Sequence, residues 1–296
     1  MTNLIYIVGS GRSGSTVIER VLNSAPQVLA VGEIHALWRL PLENLLCSCG
    51  ETVPDCPFWV ETLKSASIGV AELSRLSELE NSVVRNKYLI RKRFDLTALR
   101  SDPEVNEFNH LQGRLFDAAR AVSGAKILLD SSKAGPRAWV LAAGFDPVFL
   151  HAFRSAEDVI ASWRRPKFEP STQTPMKKPP ISEAALDWIK VEQSARSLAK
   201  VAEVRRVSYQ HFANAPREAL SQALNPSFPG LVGAADWVGE NAIQPAQEYH
   251  SVLGNPDRFD KGVIQIRPQR AAASHFSTLE NVAIRSVGRA LEAVYR

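Results

Sequence analysis

A glycine-rich stretch near the start of the chain carries the residues best suited to chemistry. It has the sequence GSGRSGST over 9–16, and its one cation is Arg12. The apolar run at 4–8 is long enough for a buried strand, and apolar residues at helical spacing follow over 17–22. A helix that begins directly after a glycine loop directs backbone N–H groups and a partial positive charge towards that loop. The stretch therefore predicts a binding site for an anion, most often a phosphate.

The spacing of Gly9, Gly14, Ser15 and Thr16 resembles the P-loop GxxxxGK[ST] of nucleotide-binding proteins. Ser15 occupies the position of the motif's lysine, whose side chain reaches the terminal phosphates of ATP or GTP. Arg12 supplies a cation inside the loop instead. This difference weakens the case for an NTPase, although the glycines, hydroxyls and arginine still suit an oxyanion. A glycine turn with no ligand is the alternative.

Two further patterns follow later apolar runs. Gly32 and Glu33 come after the second run, and Arg154 comes after the fourth, with Ser162 eight residues later. Together with the glycine loop, they resemble the sulfotransferases that use 3′-phosphoadenosine 5′-phosphosulfate (PAPS), in particular the bacterial type. In that family the first motif cradles the 5′-phosphosulfate, and the arginine and serine hold the 3′-phosphate. The resemblance implies PAPS as the donor and adenosine 3′,5′-bisphosphate as the product.

The resemblance also implies a role for each matching residue. Glu33 is the expected base that takes the proton of the acceptor, and His35 is the rival base because other family members use histidine. Lys133 is expected to contact the reacting sulfuryl group or the acceptor, and Arg12 to neutralise charge on the leaving phosphate. The expected cofactor-binding residues are Gly11, Arg12, Ser13, Gly14, Ser15, Thr16, Arg154, Ser162, Tyr209, Asn255 and Arg258. For Glu33, a surface glutamate at the start of a helix is the alternative.

Catalysis is expected to need no metal ion, because the donor lacks the terminal phosphates that Mg²⁺ bridges in NTPases. The three cysteines, Cys47, Cys49 and Cys56, lie within ten residues of one another. They could supply three ligands of a zinc or iron site, with His35 as the nearby candidate for a fourth. One disulfide with a spare thiol is a second alternative. The favoured interpretation is three thiols in a compact loop that neighbouring prolines and aromatic residues pack.

Short apolar runs alternate with helical patterns, which predicts a parallel sheet covered by helices on both faces. The runs lie at 4–8, 28–31, 127–129, 147–151 and 204–207. The predicted fold class is therefore α/β, a single three-layer α/β/α domain over 1–296. A mostly helical insertion is expected around 35–123, and a proline-rich loop that could cover the acceptor at 166–180. Because ligands bind beyond the carboxyl ends of parallel strands, the candidate residues should lie along one edge of the sheet.

The composition is that of an ordinary globular protein, since 45% of the 296 residues are hydrophobic and 22% are charged. The net charge of +4 and the pI of about 9.0 suit a polyanionic donor or an acidic acceptor, but are too small to indicate nucleic-acid binding. No apolar run approaches the length of a membrane span, and the run at 4–8 is too short for a signal peptide. We expect a cytoplasmic protein.

The sequence thus predicts a sulfotransferase that moves the sulfuryl group of PAPS, in line, to a hydroxyl or amine of a small-molecule, glycan or glycolipid acceptor. Two alternatives belong to other classes. A P-loop kinase for small molecules would depend on Mg²⁺, for which Asp130 is the only acidic candidate at a strand end. A non-catalytic nucleotide-binding module would tolerate the replacement of Glu33.

Overall fold

The apolar runs of the sequence form one parallel sheet. The computed structural model describes residues 3–165, 168–169, 174–175, 178–246, 249–268 and 277–295. Its strands are β1 (Leu4–Gly9), β2 (Val28–Gly32), β3 (Ile127–Lys133), β4 (Val148–Phe153), β5 (Phe168–Glu169), β6 (Thr174–Pro175), β7 (Val204–Ser208), β8 (Trp237–Gly239), β9 (Ala242–Ile243) and β10 (Ile264–Gln265). The main sheet has the order β2-β3-β1-β4-β7, and each of its pairings is parallel. The predicted α/β class is confirmed.

Helices cover both faces of this sheet. Within the described residues they are α1 (Ser15–Asn23), α2 (Ala36–Arg39), α3 (Pro57–Ser65), α4 (Val70–Val83), α5 (Asn86–Arg91), α6 (Leu96–Arg100), α7 (Pro103–Ser123), α8 (Gly135–Gly144), α9 (Ala156–Arg164), α10 (Ile181–Leu198), α11 (Tyr209–Asn214), α12 (Pro216–Leu224) and α13 (Thr278–Tyr295). Side-chain oxygens cap some of them: Ser155 Oγ accepts from the Asp158 N–H at 3.1 Å, at the start of α9.

The layers follow from the alternation of side chains along a central strand. Tyr6 and Val8 of β1 are fully buried in one apolar cluster, together with residues of α2 to α8 and α10. Ile5 and Ile7 are fully buried in a second cluster on the other face, with residues of α1, α11 and α12. Burying an apolar side chain of this size stabilises the fold by about 1.5–3 kcal/mol. β1 therefore holds both layers, and its carboxyl end carries the glycine loop.

Three stretches lie outside this framework. The chain between β2 and β3 is mainly helical, with α2 to α7 and a short 3₁₀ turn at Leu42–Asn44. Much of the proline-rich stretch 166–180 lies outside the described residues, and within it β5 pairs antiparallel with β6. β8, β9 and β10 form a small antiparallel sheet late in the chain. No helix of the described part of the chain is both long and apolar enough to cross a membrane.

Candidate active site

The glycine loop begins at the end of β1 and ends at the start of α1. Gly14 precedes the helix with φ 94°, and no side chain caps this end. The Gly14 carbonyl accepts from the N–H groups of Val17 and Ile18, each at 3.1 Å. The N–H groups of Ser15 and Thr16 come before these donors and have no acceptor within the helix. They are directed, with the positive end of the helix dipole, towards the space beyond the sheet.

Two aromatic rings pack directly against glycines of the loop. A Cβ on Gly14 would lie under 3.0 Å from the Tyr209 ring, and a Cβ on Gly11 equally close to the Trp163 ring. Real Cβ atoms essentially never show such separations, so both positions require glycine while the rings remain in place. The loop is therefore held between α9, which carries Trp163, and the start of α11.

Each ring also contacts an arginine. The Arg12 guanidinium lies 5.0 Å from the centre of the Trp163 ring, and that of Arg154 lies 4.7 Å from the centre of the Tyr209 ring. Arg154 Nη1 donates to the Arg12 carbonyl at 3.0 Å, and Arg12 has φ 71°. Burial lowers the pKa of Arg154, and the charge of Asp158 opposes this shift. Arg154 therefore supports the backbone of the loop from behind.

A cavity of about 380 Å³ lies in front of the loop. It is lined by Gly11, Arg12, Gly14, Ser15, Thr16, Val17, Glu33, Lys133, Trp163, Leu253, Gly254 and Asn255. Glu33 follows the edge strand β2, and Lys133 is the last residue of β3. Their side chains form an ion pair in the cavity. Their side chains are 14% and 17% exposed, so solvent screens the pair only in part. The cavity thus brings together a glycine loop at a helix N-terminus, two cations and one carboxylate.

The segment 249–255, called the late glycine segment below, forms another wall of the cavity by extending the sheet. The Glu33 N–H donates to the Val252 carbonyl at 2.8 Å, and the Val252 N–H donates to the Val31 carbonyl at 3.1 Å. Gly32 has φ 71°, and a Cβ there would overlap Val252 and its neighbour. Val252 is therefore held against β2, which places the following residues Leu253 to Asn255 at the cavity.

Several predicted residues lie close to the cavity without lining it. Ser13 is fully buried in the loop, and its Oγ has no hydrogen-bond partner within the described residues. Arg154 and Tyr209 lie behind the loop, as described above. Ser162 is half-buried on α9 next to Trp163. Arg258 is 1% exposed and donates to the Gly254 carbonyl at 3.3 Å, which supports the late glycine segment from behind.

His35 also does not line the cavity, although Glu33 two residues earlier does. It is half-buried at the start of α2. Burial lowers its pKa well below the usual value, and the charges of Arg137, Arg39 and Lys133 lower it further. The imidazole is therefore neutral at physiological pH.

Glu19 is a buried carboxylate below the loop. Its burial cannot be seen from the sequence, because the helical pattern places it on the polar face of α1. It is 2% exposed and accepts hydrogen bonds from the hydroxyls of Ser131 and Tyr249. Burial raises its pKa, and these hydrogen bonds oppose that shift. Glu19 therefore joins α1, β3 and the segment that leads to the cavity wall.

Asp130 is occupied by other groups. It is completely buried, and its Oδ1 accepts from the Ser132 N–H at 2.8 Å and the Ser132 hydroxyl at 2.5 Å. Its Oδ2 lies 3.3 Å from Arg137 Nη2. Burial raises the pKa of Asp130, which Arg137 and Ser132 oppose. Because its oxygens already have partners away from the cavity, Asp130 is poorly placed to hold a metal ion on a nucleotide.

The three cysteines form a cluster with His250, and His35 is not part of it. The ligand atoms of Cys47, Cys49, Cys56 and His250 all lie within 4.8 Å of one another. The three thiols are free, and only Cys49 is exposed. His35 was therefore the wrong candidate for a fourth ligand, because the imidazole that joins the thiols comes from the late glycine segment.

Comparison with known proteins gives distant similarity in structure only. No protein-family model matches the sequence, and no curated protein sequence matches it significantly. The fold is similar to the sulfotransferase domain of the olefin synthase from Synechococcus PCC 7002, with 17% identity, a TM-score of 0.47, and coverage of 96% of this chain and 94% of that one. It is also similar to a sulfotransferase from Mycobacterium avium, with 15% identity, a TM-score of 0.42, and coverage of 79% and 67%. At such distances the residues of the site itself must support any assignment of function.

Proposed function

We propose that this chain is a sulfotransferase that transfers the sulfuryl group of PAPS to a hydroxyl or amine of a small-molecule, glycan or glycolipid acceptor. The observation that carries the proposal is the meeting of three features at one cavity. These are the glycine loop with its unbonded helix N-terminus, the Arg12 cation, and the ion pair of Glu33 with Lys133. The first two suit a bound oxyanion, and the third supplies a base and a further cation.

The loop suits a phosphate or phosphosulfate group. The N–H groups of Ser15 and Thr16 have no acceptor in the helix, and the buried Ser13 hydroxyl lacks a partner within the described residues. A Cβ at Gly11 or Gly14 has no room beside the packed rings, so the backbone stays bare where an anion would approach it. When bound, PAPS supplies an activated sulfuryl group. The loop and Arg12 would hold its 5′-phosphate and stabilise the negative charge that collects there.

Glu33 is the residue we propose as the base, because it lines the cavity and His35 does not. A carboxylate at this position could accept the proton of an acceptor hydroxyl. Lys133 forms an ion pair with Glu33. If Lys133 turned from Glu33 towards a bound sulfuryl group, the carboxylate would be free to accept the proton. Binding of the donor and activation of the base would then be linked through one ammonium group.

The same residues argue against the kinase alternative. Ser15 replaces the lysine that a P-loop uses for terminal phosphates, and Asp130 is buried against Ser132 and Arg137. A kinase would need both a cation for the terminal phosphate and a site for Mg²⁺. The cation would have to be Arg12. The end of β3 offers no exposed carboxylate to bind Mg²⁺.

The proposal is tested by calorimetry with adenosine 3′,5′-bisphosphate and no added divalent metal, followed by incubation with PAPS and a panel of acceptors. Binding of the bisphosphate without Mg²⁺, and release of it from PAPS only when an acceptor is present, is the expected result. A chain that ignores the bisphosphate and binds ATP only with Mg²⁺ would overturn the proposal. Binding of the bisphosphate with no transfer to any acceptor would favour a non-catalytic nucleotide-binding module.

A further inference from the structure

We propose that Cys47, Cys49, Cys56 and His250 bind one structural zinc ion. Their Sγ and imidazole nitrogen atoms converge within 4.8 Å, although His250 lies 194 residues beyond Cys56 in the chain. This convergence is a property of the fold, since the chain brings the two segments together from opposite ends of the sequence. The inference does not depend on the proposed sulfotransferase activity.

Three of the six separations between the ligand atoms are close to those around a tetrahedral zinc ion. Zn–S bonds of about 2.3 Å and Zn–N bonds of about 2.0–2.1 Å place ligand atoms about 3.8 Å apart for two sulfurs and about 3.6 Å apart for sulfur and nitrogen. Here Cys49 Sγ lies 3.6 Å from Cys56 Sγ. His250 Nδ1 lies 3.6 Å from Cys47 Sγ and 3.4 Å from Cys56 Sγ. The other three separations are at most 4.8 Å, so one ion can be bound with shifts of about 1 Å or less.

The types of ligand indicate zinc and a structural role. Thiolates and imidazole together suit Zn²⁺, and four protein ligands leave no coordination position for a substrate. The His250 ring is stacked on the Phe58 ring, with the two ring centres 4.6 Å apart. The backbone carbonyl of His250 accepts a hydrogen bond from Trp59 Nε1 at 3.1 Å. These contacts fix the ring with Nδ1 towards the thiols, as the groups around a metal site commonly do.

The backbone around the first two cysteines is a tight turn that presents both sulfurs on one side. The Cys47 N–H donates to the Glu51 carbonyl at 2.9 Å, and the Gly50 N–H donates to the Cys47 carbonyl at 2.9 Å. Gly50 has φ 105°, a conformation that glycine adopts without strain. The turn is therefore formed by the backbone itself, and the metal would join it to Cys56 and His250.

Such an ion would hold a wall of the cavity in place. Ser48, between two of the ligands, bonds to both sides of His250: its Oγ donates to the Tyr249 carbonyl at 2.6 Å and its N–H to the Ser251 carbonyl at 3.0 Å. Three residues after His250, Leu253 begins the wall of the cavity. The zinc would thus fasten the segment between β2 and β3 to the late glycine segment.

The test is elemental analysis of the full-length chain after dialysis against zinc-free buffer without chelator. About one zinc ion per chain is expected for wild type. Cys49→Ser removes the exposed ligand, so the core loses least packing, and it should lose most of its zinc while circular dichroism shows a folded chain. His250→Asn should do the same. His110→Asn, at an exposed histidine of α7, is the matched control and should retain the metal.

Cobalt(II) added to the chelator-treated chain gives a second readout that does not depend on how each variant folds in the cell. Wild type should show the intense visible absorption of tetrahedral cobalt and a sulfur-to-metal band. At saturating cobalt, Cys49→Ser should lose about a third of that band, since one of three thiolates is gone, and it should need more cobalt to reach saturation. The inference is overturned if folded wild type contains no stoichiometric zinc, if it contains iron instead, or if thiol counting in denaturant without reductant finds a disulfide between two cysteines.

Discussion

Replacing Arg154 tests whether the second predicted motif binds the 3′-phosphate of the donor. The Arg154 side chain is 5% exposed, and its guanidinium lies over the Tyr209 ring and donates to the Arg12 carbonyl. A hydrogen bond to a charged group contributes about 1.5–3 kcal/mol, which corresponds to about 10–150-fold in affinity. Because Arg154 is well buried, we expect Arg154→Ala to weaken binding of adenosine 3′,5′-bisphosphate towards the upper end of that range. Arg154→Lys keeps the charge but loses the forked geometry of the guanidinium, so its affinity should lie between those of wild type and Arg154→Ala.

The assay is calorimetric titration of each variant with the bisphosphate and with adenosine 5′-monophosphate, which lacks the 3′-phosphate. If Arg154 contacts that phosphate, the substitution weakens the bisphosphate alone, and the two ligands become nearly equal in affinity. If Arg154 only supports the Arg12 carbonyl, both ligands weaken by the same factor, and that outcome refutes the 3′-phosphate assignment. Arg205→Ala is the control, because this residue is 41% exposed and pairs with Glu203 away from the cavity.

Three further predictions follow from the site. Glu33→Gln should lower the transfer rate by about 10²–10⁴-fold and leave bisphosphate affinity nearly unchanged, and an unchanged rate would exclude Glu33 as the base. Gly14→Ala should reduce the free energy of unfolding in urea more than Gly124→Ala does. Both positions have positive φ, which costs alanine about 1–2 kcal/mol, but only the first also meets the Tyr209 ring; equal losses would contradict this packing. Finally, His35 has a folded-state pKa well below its unfolded value, so the unfolded chain takes up its proton first as the pH falls. The free energy of unfolding should therefore decrease as the pH is lowered through about 6.5. In His35→Gln it should decrease less steeply between pH 7 and pH 5.5, and identical slopes would argue against the pKa shift.

The fold could be predicted because its sheet depends on local signals. The runs at 4–8, 28–31, 127–129 and 204–207 lie within strands of the main sheet, and the run at 147–151 begins one residue before β4. A parallel strand with both faces covered is apolar along most of its length, and such a run is visible in sequence. β8, β9 and β10 were missed because strands of two or three residues have no measurable period.

The candidate site was predictable only where one residue follows a strand. Arg12, Glu33 and Lys133 could be placed at one edge of the sheet for that reason, and they line one cavity. Trp163 could be assigned only to an apolar helix face, because whether an aromatic ring enters a core or a cavity depends on packing between elements. The partnership of His250 with the cysteines was equally hidden, since nothing local links residues so far apart in the chain.

The two cations of the cavity share a backbone feature with a consequence for evolution of the site. Arg12 and Lys133 have φ angles of 71° and 68°, in the left-handed region that disfavours any residue with a Cβ by about 1–2 kcal/mol. Glycine would relieve this strain at either position, and would also remove the charge. The chain thus gives up folding stability at the two places where a cation lines the cavity. Selection for thermostability alone should therefore favour glycine at either position, and selection for the two positive charges would oppose it.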